Sequence, residues 1–195
     1  MSGVTIEKGF AEVHRNEVAE LFWEAFSQKL SKVMRPKNKA LRFVQNVLRP
    51  DHAISAVDDK GVLLGAAGFK TSDGALVGGE LSDLTAAYGP FGGLWRGLIL
   101  SVLERDLTPD QFLMDGIFVR AEARGMGVGT ALLNAVIAEA KERGCSEVRL
   151  DVIDSNPRAR ALYERVGFKA DGVETTGPFR WVFGFKMATK MVYRL

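Results

Sequence analysis

Seven residues, Arg124-Gly125-Met126-Gly127-Val128-Gly129-Thr130, stand between a run that reads as a buried β-strand, Phe112 to Val119, and one that reads as a helix from about Val128 to Arg143. Leu132, Leu133, Val136, Ile137 and Ala140 mark the inner face of that helix. A strand that passes through glycines straight into a helix turns backbone N–H groups and the positive end of the helix dipole outward, which makes a site for an anion. The glycines remove the Cβ atoms that would hold a pyrophosphate away, and Arg124 adds a fixed charge with paired donors. A tight turn that only lets helix and strand pack closely accounts for the same glycines, and the loop alone does not choose.

One competing phosphate fold fails on spacing. Asp151 lies about 20 residues beyond the loop, where a nicotinamide-binding domain carries its ribose-binding acid. The G-x-G-x-x-G pattern, however, needs a third glycine at Thr130 or at Leu132. The loop also comes late in the chain, with no room after it for the repeated units of a doubly wound sheet.

The rest of the chain reads as mixed α and β. Helices are expected over about Val13 to Leu30 and Lys39 to Leu48, the second ended by Pro50. His52 to Val57 and Val62 to Lys70 form a hairpin across Asp58-Asp59-Lys60-Gly61. After the glycine loop come a strand, Glu147 to Ile153, and a helix, Pro157 to Val166, with the proline in the first turn. Trp181, Phe183, Phe185, Met187 and Met191 alternate as in a strand, which the Gly177-Pro178 turn pairs with Phe168 to Thr175.

Composition excludes several classes. The 195 residues carry 26 Lys+Arg against 24 Asp+Glu, a net charge of +2 with no basic run, so no nucleic-acid partner is expected. Cys145 is the only cysteine, which rules out an internal disulfide framework and fits a reducing, cytoplasmic setting; Glu7 and Lys8 interrupt any apolar leader. Leu84 to Leu103 is nearly long enough to cross a bilayer, but Arg96 and the Gly89-Pro90, Gly92-Gly93 and Gly97 interruptions make it a helical insertion, so no membrane partner is expected. His14 and His52 have no ligand cluster around them in sequence and read as surface or packing residues, with no metal.

A second motif, Asn156-Pro157-Arg158-Ala159-Arg160-Ala161-Leu162-Tyr163, follows the glycine loop at a distance and in an order that carry information. With Arg124 to Gly129 standing as R-x-x-G-x-G, Asn156 to Tyr163 as N-x-x-A-x-x-x-Y, and a closing Gly167-Phe168, the chain resembles the GNAT N-acetyltransferase superfamily. The motif-bearing match covers Phe112 to Phe168; Val4 to Lys70 agrees as a pattern of elements.

The resemblance implies an α+β fold: one domain over residues 1–195, a mixed, mostly antiparallel sheet between layers of helices, splayed between its fourth and fifth strands, Phe112 to Val119 and Glu147 to Ile153. It implies acetyl-CoA as co-substrate, with Ile117, Phe118 and Val119 offering main-chain bonds to the pantetheine. Arg124, Gly125, Met126, Gly127, Val128, Gly129 and Thr130 would hold the pyrophosphate, and Asn156 would bond the cofactor arm. Tyr163 takes the place of the general acid beside the sulfur; a core aromatic is its alternative. Asp151 and Asp115 are the candidate bases, and either is also readable as a structural carboxylate. The acceptor is a small-molecule or peptide amine, and a homodimer is left open.

Residues 80–106 would form a substrate-side insertion whose Tyr88, Phe91 and Trp95 make an apolar wall and whose glycines allow it to move. A helix covering the sheet is the alternative. A binding module that senses acyl-CoA without chemistry and a longer-chain acyltransferase are the competing functions.

Overall fold

The computed structural model describes residues 3–101, 107–108, 110–175, 177, 184–185 and 187–195. Its sheet holds β1 (Val4–Lys8), β2 (Ala53–Asp58), β3 (Leu63–Thr71), a two-residue β4 (Gly74–Ala75), β5 (Gln111–Val119), β6 (Glu147–Ile153), β7 (Lys169–Thr175) and β8 (Met187–Arg194). The order is β1-β2-β3-β5-β6-β8-β7, with β4 on the flank of β3. Every neighbouring pair is antiparallel except β5 and β6. A doubly wound nicotinamide domain needs a mostly parallel sheet, so that reading ends here.

Helices cover both faces. On one side lie α1 (Arg15–Leu30), α2 (Lys37–Val47) and α3 (Leu81–Tyr88), whose Val18, Phe22, Phe43 and Leu84 share a core. On the other lie α5 (Val128–Glu142) and α6 (Pro157–Val166), packed through Leu132, Val136 and Tyr163. This is the αβα layering of a single α+β domain.

The expected β2–β3 hairpin forms, and the Asp58 carboxylate closes its turn by accepting from the Lys60 and Val62 N–H groups at 2.9 and 2.8 Å. One detail differs from expectation, and one expected strand is described only in part. The apolar insertion is not one helix but a hairpin of α3 and α4 (Pro90–Leu100), broken at Gly89-Pro90. The C-terminal strand is described from Met187; Trp181 and Phe183, expected in it, and Pro178, expected in its turn, lie outside the described residues, as do positions 102–106 of the insertion.

Candidate active site

The site begins where two parallel strands part. β5 and β6 pair from Gln111 opposite Glu147 to Met114 opposite Leu150 and no further. Beyond that point β5 stays bonded to β3 as far as Val119, and β6 stays bonded to β8 as far as Ile153. Among the described residues, Ile117, Phe118 and Val119 therefore have a strand neighbour on the β3 side and no strand on the β6 side, where a side chain, that of Arg124, reaches the Val119 carbonyl.

A β-bulge sits at the point of parting. Gly68 pairs with Gly116 and Phe69 with Met114, which leaves Asp115 as the extra residue. Bulges bend a strand and re-aim a side chain, and this one turns Asp115 into a cleft. Gly116 follows with no side chain because the ring of Phe26 lies where a Cβ would be, 2.4 Å from it.

The cleft encloses about 650 Å³. Asp115 and Asp151 both line it, with Lys70. The Asp115 side chain is accessible because it faces the cleft, although it lies deep in the molecule. Depth sets the direction of its shift: desolvation pushes the carboxyl up to about 6, with Lys70 pulling the other way. Asp151 is held differently, since the Arg149 guanidinium lies 3.4 Å from both of its carboxylate oxygens and reaches Glu174 at 2.9 Å.

The glycine loop turns through the left-handed region at Gly125 (φ 84°) and Gly127 (φ 85°), where any other residue would be strained. A Cβ at either would meet nothing within 4 Å, so the loop faces open space. Gly127 caps α5, no side chain satisfies that helix end, and the first intrahelical bond recorded there runs from the Ala131 N–H to Gly127. The N–H groups of Val128, Gly129 and Thr130 thus lack intrahelical acceptors, which is what an anion such as pyrophosphate requires. Gly129 lies against α6: a Cβ there would meet the Leu162 side chain at 3.4 Å, an ordinary van der Waals contact. Arg124 donates through Nε to the Val119 carbonyl at 3.1 Å and reaches Glu24 of α1 at 3.3 Å. Met126, between the two turning glycines, is exposed.

Two predicted residues belong to α6. Asn156 is its N-cap, with Oδ1 accepting from the Ala159 N–H at 3.1 Å. Tyr163 is buried on the α5–α6 side of the sheet, its ring 6.0 Å from that of Phe168, and burial pushes its hydroxyl up to about 12. Asp115 and Asp151 face the cleft on the α1 side; Tyr163 is not among the residues lining it.

The aromatic wall expected of the insertion is absent from the cleft. Leu84, Leu94 and Leu98 line it, whereas Tyr88, Phe91 and Trp95 do not. The Tyr88 hydroxyl donates to the Met34 carbonyl at 2.8 Å, and the Arg96 guanidinium lies 4.0 Å from its ring and 4.3 Å from that of Trp95. That cluster ties the hairpin to the α1–α2 connection. Phe91 points outward, 88% exposed. Nor do all the glycines confer mobility: a Cβ on Gly93 would lie 2.5 Å from the Thr85 backbone, so this glycine exists for close contact between α3 and α4.

Residues 15–168 match the acetyltransferase (GNAT) family. The chain belongs to that family. Among curated proteins it is 41% identical over 54 residues to the thialysine N-epsilon-acetyltransferase of Bos taurus, covering 28% of this chain and 32% of that one. It is 33% identical over 99 residues to the peptidyl-lysine N-acetyltransferase YjaB of Escherichia coli K12, covering 48% and 60%. These alignments span less than two thirds of either relative.

Solved GNAT folds align over nearly the whole chain. An N-acetyltransferase from Staphylococcus aureus Mu50 superposes with a TM-score of 0.70 at 18% identity, covering 97% of this chain and 100% of that one. A ribosomal-protein-alanine N-acetyltransferase from Brucella melitensis gives 0.64 at 16%, covering 98% and 99%.

Within this GNAT frame, several cleft residues escaped sequence reasoning. Lys70 had no signal beyond its place near a strand end. Leu94, Gly97, Leu98 and Ser101 follow a helical i, i+3, i+4, i+7 spacing that would have picked out the cleft-facing side. Asp115-Gly116, a polar residue and a glycine inside an apolar strand run, carried the signature of a bulge.

Proposed function

We propose that this GNAT protein, as one domain over residues 1–195, is an acetyl-CoA-dependent N-acetyltransferase that moves the acetyl group directly to a primary amine. The observation that carries the reading is the end of β5–β6 pairing at Met114 and Leu150, with unsatisfied helix N–H groups at one end of the opening and two carboxylates at the other. Acetyl-CoA supplies the acyl group as a thioester. Arg124 to Thr130 receive its pyrophosphate, the unpaired edge of Ile117 to Val119 bonds the pantetheine as an added strand would, and the Asn156 carboxamide contacts the arm while its oxygen caps α6.

An aliphatic amine has a pKa near 10.4 and must shed a proton before it can attack. Asp115 accepts it, directly or through one water, because a carboxylate raised to about 6 is ionised at neutral pH yet a better base than an ordinary one. Asp151, sharing Arg149 with Glu174, orients the incoming cation. The amine nitrogen bonds to the carbonyl carbon, the carbon–sulfur bond breaks, the sulfur leaves as a thiol with a proton from Tyr163, and the second proton that nitrogen sheds as the amide forms restores the tyrosine through water. A hydroxyl raised to about 12 stays protonated across the working range, as a donor must.

The acceptor is a small molecule or peptide; the thialysine and peptidyl-lysine enzymes among the relatives take amines by their names. The single cysteine supports a reducing, cytoplasmic setting, and among the described residues no helix is long and apolar enough to cross a membrane. Incubation with acetyl-CoA and an amine panel, followed by mass analysis, tests the reading. Acetylated amine and free CoA are expected; tight acetyl-CoA binding with no transfer to any amine would make the protein a sensor instead.

A further inference from the structure

The cleft walls differ in chemistry from its floor. Asp115, Asp151 and Lys70 place charge at the floor, whereas the walls are mainly apolar side chains from α1, α2, α3 and α4, with Glu80 and Ser101 as the polar exceptions. Two of these are left open to water: Leu94 is 59% exposed and Leu98 75% exposed. An apolar surface held open beside a polar floor is the mark of a binding surface.

We propose that the acceptor is a primary amine with an apolar body, a medium-chain alkyl or arylalkyl amine, its ammonium at Asp115 and Asp151 and its body along Leu84, Leu94 and Leu98. This rests on the transfer reading above and narrows it. The amine nitrogen bonds to the thioester carbonyl carbon as the carbon–sulfur bond breaks; of the two protons the ammonium sheds, one goes to Asp115 and the other, by way of Tyr163, to sulfur. The walls serve only to hold the body.

The alternatives fit the walls worse. A polyamine would carry further ammonium groups past leucines, with Glu80 the single carboxylate among the described wall residues to meet them, so any beyond one loses water without gaining a partner. A peptide would bring N–H and C=O groups to α3 and α4, whose backbone bonds are satisfied internally. The volume of about 650 Å³ falls within the range of about 300–1,000 Å³ typical of small-molecule sites.

The test is a homologous series of n-alkylamines from butyl to octyl, with phenylbutylamine, spermidine and a lysyl peptide, assayed with acetyl-CoA in wild type and in Leu98→Asp. Leu98 is exposed enough that the change leaves the core alone. Octylamine binding is measured by calorimetry in parallel, independent of turnover. We expect kcat/KM to climb about fourfold per methylene, the factor that corresponds to about 0.8 kcal/mol, until the cleft is filled. Leu98→Asp should flatten that slope and weaken octylamine binding at least tenfold while acetyl-CoA affinity holds.

Preference for spermidine or the lysyl peptide, a flat series, or a slope untouched by Leu98→Asp would overturn the inference. If octylamine binds in a Leu98-dependent way and no amine is acetylated, the site assignment stands and the transfer reading fails. If octylamine neither binds nor reacts, the inference falls, whatever other amines do.

Discussion

The two ends of the cleft are built in opposite ways. At the glycine-loop end, the groups that face the ligand come from a short, nearly continuous stretch: Ile117 to Val119, then Arg124 to Thr130, on a strand and the helix that follows it. At the carboxylate end, Phe22 and Phe26 come from α1, Leu84 from α3, Leu94 and Leu98 from α4, Lys70 from β3, Asp115 from β5 and Asp151 from β6. The first end is a local device whose geometry follows from backbone N–H groups and left-handed glycines. The second is assembled by tertiary packing. A local device can be reused with one ligand, while an assembled surface changes whenever any contributing helix changes, which is how one fold serves many acceptors.

That contrast predicts that damage at one end spares the other. The largest effect is expected from Gly127→Glu, which forces a side chain and a negative charge into the open space before the loop and strains a left-handed residue. Acetyl-CoA binding should be lost by calorimetry, with the fold retained by circular dichroism. Gly127→Asn, which tolerates the left-handed region, should keep part of it. Unchanged affinity in Gly127→Glu would remove the loop from the site.

Next comes Tyr163→Phe. The ring packing against Phe168 survives and only the proton donor is lost, so single-turnover transfer should slow by about 10²–10⁴ with acetyl-CoA affinity unchanged. Transfer at the wild-type rate would return Tyr163 to the core.

Asp115→Asn should cost about 10²-fold, the low end for loss of a general base. In the wild type, kcat/KM should fall tenfold per pH unit below about 6, where Asp115 becomes protonated, and level off above it; the variant should lose that limb. Lys70 and Asp151 share the cleft with Asp115, and Asp151→Asn, which removes a like charge, should move the limb to lower pH. The same group has a stability signature. Its folded pKa lies above the ordinary aspartate value of about 3.9, so the folded protein binds the proton more tightly and loses stability as pH rises from about 4 through about 6. Asp115→Asn should therefore gain in Tm over wild type above pH 6 and show no gain near pH 4.

The smallest effect on the cofactor is expected from Gly93→Ala, which presses a methyl group on the Thr85 backbone. The α3–α4 hairpin should loosen at a cost of about 1–3 kcal/mol, visible as a lower Tm and a raised acceptor KM, with acetyl-CoA binding intact.

Legibility in the sequence follows the same division. The α5 and α6 helices, the Glu147 to Ile153 strand and the glycine loop were readable because their signals are local: periodicity, a proline at N1, glycines at a strand end. The first strand, Val4–Lys8, has only two partly buried positions and no apolar run, so it gave no strong signal. The insertion reads as helical, but its aromatic residues carry a stronger signal in sequence than the leucines that line the cleft. Tyr88 and Trp95 bracket Arg96 instead, a tertiary cluster that spacing along one helix does not reveal. Asp115-Gly116 signals a bulge within the strand, but which residue is the extra one depends on register with β3, which no single-strand pattern contains.

Hydrogen exchange with and without acetyl-CoA tests the central claim, that the cofactor lies along the parted edge of β5 and on the N-terminus of α5, most directly. The account predicts slowed exchange within Ile117 to Val119 and at Val128, Gly129 and Thr130, with Leu81 to Leu100 unchanged. Protection confined to α3 and α4, with the glycine loop exchanging as fast as before, would contradict it.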